Sequence, residues 1–543
     1  MASKETPVEF PKVPLADFVL QAADLLDSFP ALIDGRTGLT WSYTELKGYV
    51  RRIASGLARQ GVRRGDVVAI YSGNCIEYVA LFHAISSLGA ITTTISPAFT
   101  TDELTYQLED SGAKYILVQS YFLQRLKKVE KSKIIIKKVF VIGESDEHTT
   151  VGELMQDDGL ALPPHVPIDP EKDVVAILYS SGTTGLPKGC MLTHYNVTSL
   201  MFCYKLNNDN VAAELEARGE ELPFVNPLDE ATLGILPFYH SYAMIVLMCL
   251  TLAIGIKLVV LPKFKPVSFL EAIEKYKITY LPLVPPLMVF LAKSPLVSRY
   301  DLSSVRQIGS GAAPLSKDIE MAVKERLGVE RLTQGYGMTE TTTGALAPPP
   351  GIDRPPGAAG KVLAGNEVTV RDLDDGRILG ENQEGELWIR GPIVMSGYWN
   401  KSKQTAETID KEGWLHTGDI GYFDKDGWFF IVDRIKELIK YNALQVAPAE
   451  LEAILITHPG ISDVAVIGIP DESAGELPKA YVVLRPGTKL EASNISSFLS
   501  SKVAPYKQLR GGVEFIDEIP RNATGKILRR VLKQQSKSHQ SRL

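Results

Sequence analysis

Ten consecutive residues concentrate groups that hold an anion: Ser180-Ser181-Gly182-Thr183-Thr184-Gly185-Leu186-Pro187-Lys188-Gly189. Glycines let the backbone turn its N–H groups inward, and the hydroxyls and the ammonium add donors, a set suited to phosphate. The run is not a Walker loop, because the order G-x-x-x-x-G-K-[ST] is not met. Four more polar-glycine stretches interrupt apolar surroundings. In Ser310-Gly311-Ala312-Ala313-Pro314 the small residues let a flat ring approach the backbone. In Gln334-Gly335-Tyr336-Gly337-Met338-Thr339-Glu340 an aromatic between glycines can stack on a base, a threonine can reach phosphate, and Glu340 can hold a hard cation. In Gly413-Trp414-Leu415-His416-Thr417-Gly418-Asp419 the acid after a glycine is placed to accept from two ribose hydroxyls. Arg521-Asn522-Ala523-Thr524-Gly525-Lys526 is a tip carrying one lysine. Each alone also reads as a turn, a hairpin or a solvated charge; their joint order and separation carry the argument.

The elements that must position these loops alternate. Val174–Leu178 is a buried-strand run just ahead of the first loop. Asp66–Ile70, Ala90–Thr94, Lys114–Val118 and Lys138–Ile142 are further short apolar strands, with helical patterns between them. After the loop, strands are expected at Leu233–Pro237, Lys257–Leu261, Thr279–Leu283 and Val305–Ile308. Such alternation predicts parallel sheets covered on both faces. From about residue 358 to 432, turn pairs such as Asp375-Gly376 and Asp426-Gly427 punctuate β-type runs, which predicts antiparallel sheet or barrel. A small α/β unit follows Asp433. Asn207–Asp229 reads as a helical or loose surface excursion, and Met244–Ile256 as a buried helix–strand unit.

Length and composition exclude several classes. At 543 residues the chain needs more than one core, and 45% hydrophobic with 22% charged residues is ordinary globular composition. A net charge of −6 without a basic block argues against nucleic-acid binding. Cys75, Cys190, Cys203 and Cys249 share no C-x-x-C spacing and read as free thiols. No apolar run approaches the roughly 20 residues of a membrane helix. The terminal Ser541-Arg542-Leu543 is a conservative variant of the Ser-Lys-Leu tripeptide read by peroxisomal import receptors, so peroxisomal localisation is expected, or cytoplasmic if that tripeptide is not read.

Taken together, these motifs resemble those of the adenylate-forming superfamily: acyl- and aryl-CoA synthetases, 4-coumarate:CoA ligases and beetle luciferases. The resemblance spans roughly residues 15 to 535, and its most specific signatures are Ser180–Gly189, Gln334–Glu340, Thr417–Asp419, Val432–Lys436 and Thr524–Lys526. It implies an α/β fold: a large N-terminal domain (1–433) of two α/β subdomains and a β-barrel-like subdomain, hinged to a small, mobile α+β C-terminal domain (434–543). It further implies ATP, Mg²⁺, coenzyme A and a small-molecule carboxylic acid as ligands. Ser180, Ser181, Gly182, Thr183, Thr184, Gly185 and Lys188 would wrap the β- and γ-phosphates. Gly311, Ala312, Ala313, Gln334, Gly335, Tyr336 and Gly337 would form the adenine site, and Asp419 and Arg434 would fix the ribose. Thr339 would touch the α-phosphate, Glu340 would bind Mg²⁺, and Lys526 would bridge the α-phosphate and the attacking carboxylate. His240, within Pro237-Phe238-Tyr239-His240-Ser241-Tyr242, matches the histidine at the mouth of the acyl pocket, with Ser241, Tyr242, Gly309 and Thr343 lining that pocket. A second half-reaction would follow rotation about Asp433–Lys436, withdrawing Lys526 and bringing in Lys440 to Gln445.

The chain departs from the pattern in two places. Relatives read Lys-Tyr-Lys-Gly-x-Gln where this sequence reads Lys440-Tyr441-Asn442-Ala443-Leu444-Gln445, and alanine restricts backbone angles that glycine permits. Gly309 stands where coumarate ligases often carry lysine, and Thr341–Ala345 tracks the luciferases, yet Leu222–Asn226 lacks the luciferases' pocket arginine. The expected activity is ATP-dependent ligation of a fatty or aryl-substituted acid to CoA. The alternatives are a luciferase-type monooxygenase and a non-catalytic nucleotide sensor or scaffold.

Overall fold

Val67–Tyr71 and Ile91–Ile95 are buried at every position, the mark of strands covered on both faces. They lie at the centre of a first seven-stranded sheet, ordered Gly397–Tyr398, Lys188–Thr193, Val174–Ser180, Ile91–Ile95, Val67–Tyr71, Tyr115–Gln119, Lys138–Ile142. Its ladders are parallel except for the two that involve Lys188–Thr193. A second seven-stranded sheet runs Arg331–Gln334, Gln307–Ser310, Tyr280–Leu283, Ala231–Gly234, Lys257–Val260, Pro30–Asp34, Thr40–Ser42. It is parallel up to the final hairpin. These are the two α/β subdomains expected from the alternating pattern. The computed structural model describes residues 8–129, 134–163, 166–180, 186–220, 226–313, 315, 317–329, 331–352, 354–441, 444–471, 474–522 and 525–540.

The excursion expected over 207–229 begins as helix: His194–Glu216, one element of 23 residues, runs into it. Its start is specified locally. Thr193 Oγ1 accepts the Asn196 N–H and the Asn196 side chain accepts the Thr193 N–H, a capping box. Within the expected helix–strand unit, Ala243–Leu250 is a π-helix, and Lys257–Val260 is the strand. The wide turn keeps positions four apart on one face, and π-helical turns concentrate at functional sites.

The β-rich segment is an antiparallel sheet of Glu367–Arg371, Gly385–Arg390, Leu415–Phe423 and Phe429–Arg434. A bridge from Phe429 to Gly360 continues it toward the Lys361–Val362 and Leu346–Ala347 ladder, and a bridge from Leu346 reaches Tyr336. The sheet therefore curls in a barrel-like path. Among the described residues no ladder closes it between Glu367–Arg371 and Leu346–Ala347.

The last strand of that sheet ends at Arg434, and Ile439 begins a five-stranded C-terminal sheet. Pro448–Leu455 and Ala492–Ser500 pack on it around a core that includes Ile439, Leu451, Val466 and Leu499. No described helix is long and apolar enough to cross a membrane, and the four cysteines are free.

Asn196 also ties the long helix to the β-rich segment, its Nδ2 donating to the carbonyls of Pro392 and Val394 at 2.8 and 2.9 Å. Asn196→Ala removes the reciprocal cap and leaves two carbonyls unpaired. We expect a loss of about 2–3 kcal/mol, read as a fall in the thermal midpoint, with Asn196→Asp recovering the cap but not the tie.

Candidate active site

Parallel topology gathers residues that are far apart in sequence. Four strands of the second sheet, Ala231–Gly234, Tyr280–Leu283, Gln307–Ser310 and Arg331–Gln334, run in the same direction side by side. The loops after their carboxyl ends therefore emerge together, the usual place for ligands in open α/β sheets. They carry Pro237–Tyr242, Gly311–Ala312 and Gly335–Glu340. The first sheet adds Ser180 and Lys188. All of these segments border one cavity of about 1660 Å³.

Glycines make room at its walls. A β-carbon on Gly309 would lie 2.5 Å from the Tyr280 hydroxyl, and one on Gly311 would lie 3.1 Å from the Tyr242 ring. One on Gly337 would fall 2.2 Å from the Thr343 carbonyl oxygen, so the chain passes itself there as only glycine allows. Thr342 and Thr343 hold φ of 52° and 78°, and Ala312 holds 68°. Left-handed backbone at two successive β-branched residues is strained, and such strain clusters at functional sites.

Glu340 occupies the short turn Thr339–Thr341 and is 6% exposed. Its Oε1 accepts from Ser180 Oγ at 3.0 Å and from the Tyr398 hydroxyl at 2.9 Å. Lys188 Nζ lies 4.6 Å over the Tyr398 ring. Lys188 and Glu340 thus meet across one tyrosine. Among the described residues no group of three or more His, Cys, Asp or Glu could cage a metal. A single carboxylate suits Mg²⁺, which typically takes one or two carboxylates and completes its shell with phosphate oxygens and water. Ser181, Gly182, Thr183, Thr184 and Gly185 lie outside the described residues.

Asp419 is 3% exposed; its Oδ2 accepts from the Tyr336 hydroxyl at 2.7 Å, and its Oδ1 lies 2.8 Å from Arg434 Nε in an ion pair but accepts no hydrogen bond. Burial raises its pKa, and the Arg434 guanidinium opposes that rise. Asp419 and Arg434, expected together at the ribose, are brought together, with Arg434, Thr417 and Gly418 on the cavity lining and Asp419 just behind them. Glu386 braces this loop, with Oε1 accepting the Gly418 N–H at 2.8 Å and Oε2 accepting Trp388 Nε1 at 2.9 Å. The Gly418 carbonyl in turn accepts the Ile435 N–H. Gln334 also departs from expectation. Its Oε1 accepts the Leu315 N–H at 3.2 Å, so it props the turn that follows Gly311 and Ala312 and does not border the cavity. Ala313 likewise lies just beyond the lining. Glu386 and Tyr398 escaped sequence reasoning, because each sits in an ordinary strand pattern whose register alone brings it to the site.

The C-terminal unit closes the cavity with Lys526 and Asn522. Its tip is a tied turn: the Lys526 N–H donates to Asn522 Oδ1 at 2.8 Å, and Arg521 donates to the Gly525 carbonyl at 2.7 Å. Gly525 holds φ of 81°, and a β-carbon on it would lie 3.0 Å from the Pro286 ring, so the tip seats closely on the large unit. Burial lowers the pKa of Lys526, and the nearby Arg434 lowers it further. Lys440 and Gln445 are register partners in a hairpin of the C-terminal sheet, and Lys440 does not border the cavity. The structure thus presents Lys526 there; Asn442, Ala443 and the Gln445 side chain lie outside what is described.

At the opposite side stand His240, Ser241, Tyr242 and Thr343. Ser241 Oγ donates to Thr343 Oγ1 at 3.3 Å. Burial pushes His240 down to about 4, which keeps its imidazole neutral in physiological buffers. The π-helix that follows places Tyr242, Val246 and Leu250 along the cavity at four-residue intervals.

A sequence profile for AMP-binding enzymes matches residues 21–399, and one for the AMP-binding enzyme C-terminal domain matches 450–526. The chain belongs to the AMP-binding enzyme family. This AMP-binding enzyme is 41% identical over 539 residues to 4-coumarate–CoA ligase 1 of Solanum tuberosum, covering 98% of this chain and 95% of the relative. It is 40% identical over 528 residues to 4-coumarate-CoA ligase 1 of Narcissus pseudonarcissus, covering 96% and 93%. Among solved structures, anthranilate CoA ligase AuaEII in complex with anthranoyl-AMP superposes with a TM-score of 0.87 at 26% identity, covering all of both chains. ATP-bound MatB from Rhodopseudomonas palustris gives 0.84 at 28% identity, covering 96% of this chain and 99% of that one.

Two outcomes follow from the walls of this AMP-binding enzyme. Gly309→Ala forces the Tyr280 ring aside and should raise KM for the acid by about tenfold while leaving KM for ATP unchanged. Because His240 gains a proton only near pH 4, its folded form binds fewer protons than the unfolded chain between about pH 4 and 6.5. Its imidazole is therefore neutral above that window, and the ratio of kcat/KM between wild type and His240→Ala should stay flat from about pH 5.5 to 8.5. A ratio that changes tenfold across that range would show a titrating histidine.

Proposed function

We propose that this protein is an ATP-dependent, AMP-forming acid–CoA ligase acting on a fatty or aryl-substituted acid. The observation that carries the reading is the convergence of Lys526, from the C-terminal unit, with Glu340, Thr339 and Arg434 on one cavity. The 4-coumarate–CoA ligase relatives support it along the whole chain. In the first step a carboxylate oxygen attacks the α-phosphorus of ATP and pyrophosphate leaves, giving an acyl-adenylate. In the second the CoA thiol attacks the acyl carbon, AMP leaves, and a thioester forms.

The residues divide that work. Ser180, Lys188 and the donors after Ser180 hold the β- and γ-phosphates. Gly311, Gly335 and Tyr336 receive the adenine, and Arg434 with the Asp419 loop orients the ribose. Lys526 and Thr339 meet the negative charge that gathers between carboxylate and α-phosphate, a state in which a preorganised cation counts for more than in water. His240, neutral, orients the carboxylate and borders the acyl pocket. Mg²⁺ bound at Glu340 supplies charge neutralisation on the triphosphate. We place the pivot between the domains at Asp433–Lys436, so that rotation exchanges Lys526 for the Lys440–Gln445 loop. We further propose that Ser541-Arg542-Leu543 addresses the protein to peroxisomes. A fluorescent fusion should lose punctate localisation when the tripeptide is removed, and an unchanged pattern refutes this.

The test is pyrophosphate release over a panel of fatty and cinnamic acids, with and without CoA. Turnover should rise with CoA and yield a thioester. Lys526→Ala should slow adenylation by about 10²–10³-fold, or about 3–4 kcal/mol, yet leave thioester formation from supplied acyl-adenylate within a fewfold. Full adenylation by that variant would overturn the assignment.

A further inference from the structure

The acyl side of the cavity has a floor whose chemistry does not suit a bare hydrocarbon. In parallel ladders, register partners point to the same face of a sheet. Arg331 pairs with Gln307, Gln307 with Tyr280, and Tyr280 with Thr232, so four neighbouring strands set these side chains in one row. All four border the cavity. The roof opposite, formed by Val246 and Leu250 of the π-helix, is apolar.

The row is rich in donors without partners. Thr232 is fully buried, and its Oγ1 has no hydrogen-bond partner. Ser310 Oγ, also on the cavity, is buried and unpartnered too. Among the described residues Arg331 has no carboxylate partner, and the Gln307 amide makes no hydrogen bond. The Tyr280 ring lies across Gly309 and its side chain borders the cavity. The carboxylate at the end of the row, Glu230, is already satisfied by Arg306 and the Thr279 hydroxyl. A plain alkyl chain laid on this floor would strip water from at least the amide, the guanidinium and a hydroxyl and return nothing, at a cost for each buried group.

We infer that the acid this enzyme activates carries acceptor oxygen in its distal half, as a keto group or a second carboxylate, which the Arg331–Gln307–Tyr280–Thr232 row binds. This rests on the ligase reading and names the substrate class at its acyl pocket. Oxygen near the middle of the chain would meet Tyr280 and Thr232, whereas a terminal carboxylate would reach Arg331 at the edge strand.

The experiment compares three acids of equal length on the intact protein: a saturated unbranched acid, its mid-chain keto analogue, and the corresponding dicarboxylic acid. Pyrophosphate release and calorimetric binding are both measured. At least one oxygenated acid should exceed the plain one by on the order of tenfold to a hundredfold in kcat/KM, mostly through KM. Gln307→Leu and the shape-conserving Thr232→Val should erase the preference for the keto acid, and Arg331→Met that for the dicarboxylic acid, with KM for ATP unmoved. Arg331→Lys should restore part of the latter. Equal use of the plain acid, or a preference untouched by all three variants, overturns the inference while the ligase reading stands. If no acid in this set or in the cinnamic panel releases pyrophosphate, the ligase reading itself fails and this inference with it.

Discussion

Lys526, brought beside Arg434 at the cavity, is the constraint on which the arrangement depends. Burial and the Arg434 guanidinium disfavour the Lys526 ammonium, and Glu437 and Asp419 offset them only in part. Arg434 is better served, since Asp419 and Glu437 outweigh its burial and hold it charged. A polyanion lying between the two cations removes the conflict. Asp419, Tyr336 and Glu386 act as struts that hold Arg434 and the Gly418 loop in place.

The sheets explain why such distant residues meet. Parallel strands deliver their loops to one edge, so His240, Gly311 and Glu340 converge although roughly a hundred residues separate the first from the last. Space is then made by omission: the tyrosines at 242 and 280 lie where side chains on Gly311 and Gly309 would stand. The π-helix between His240 and Thr251 turns the same face to the cavity every fourth residue, giving one apolar wall opposite a polar floor.

Much of this was legible in the sequence, for definite reasons. The strands at 67–71, 91–95, 115–119 and 138–142 stand within a residue or so of their apolar runs, because strands buried on both faces leave no ambiguity. Glu340, Lys188, Arg434, His240 and Lys526 lie in dense motifs, and all of them reach the cavity. What escaped depends on contacts between chain segments. Gln334 carries a ligand-like amide in a ligand-like motif, yet strand alternation turns it toward Leu315. Asp419 was expected beside Arg434 at the ribose, and only the fold adds the Tyr336 hydroxyl upon it. Tyr398 and Glu386 reach the site through antiparallel pairings with Cys190 and Ile420, across more than 200 residues for the first and just over 30 for the second, which no local pattern encodes. The polar floor is likewise a property of register between four strands.

The charge state of Lys526 is the most direct test of this arrangement. Isotopic methyl labelling of lysines, with Lys526→Arg to assign the signal, would let its ammonium be titrated by NMR in the full chain. The account predicts a pKa below the ordinary lysine range in the free protein, returning to or above that range when ATP fills the cavity. An ordinary value that ATP leaves unchanged would contradict it.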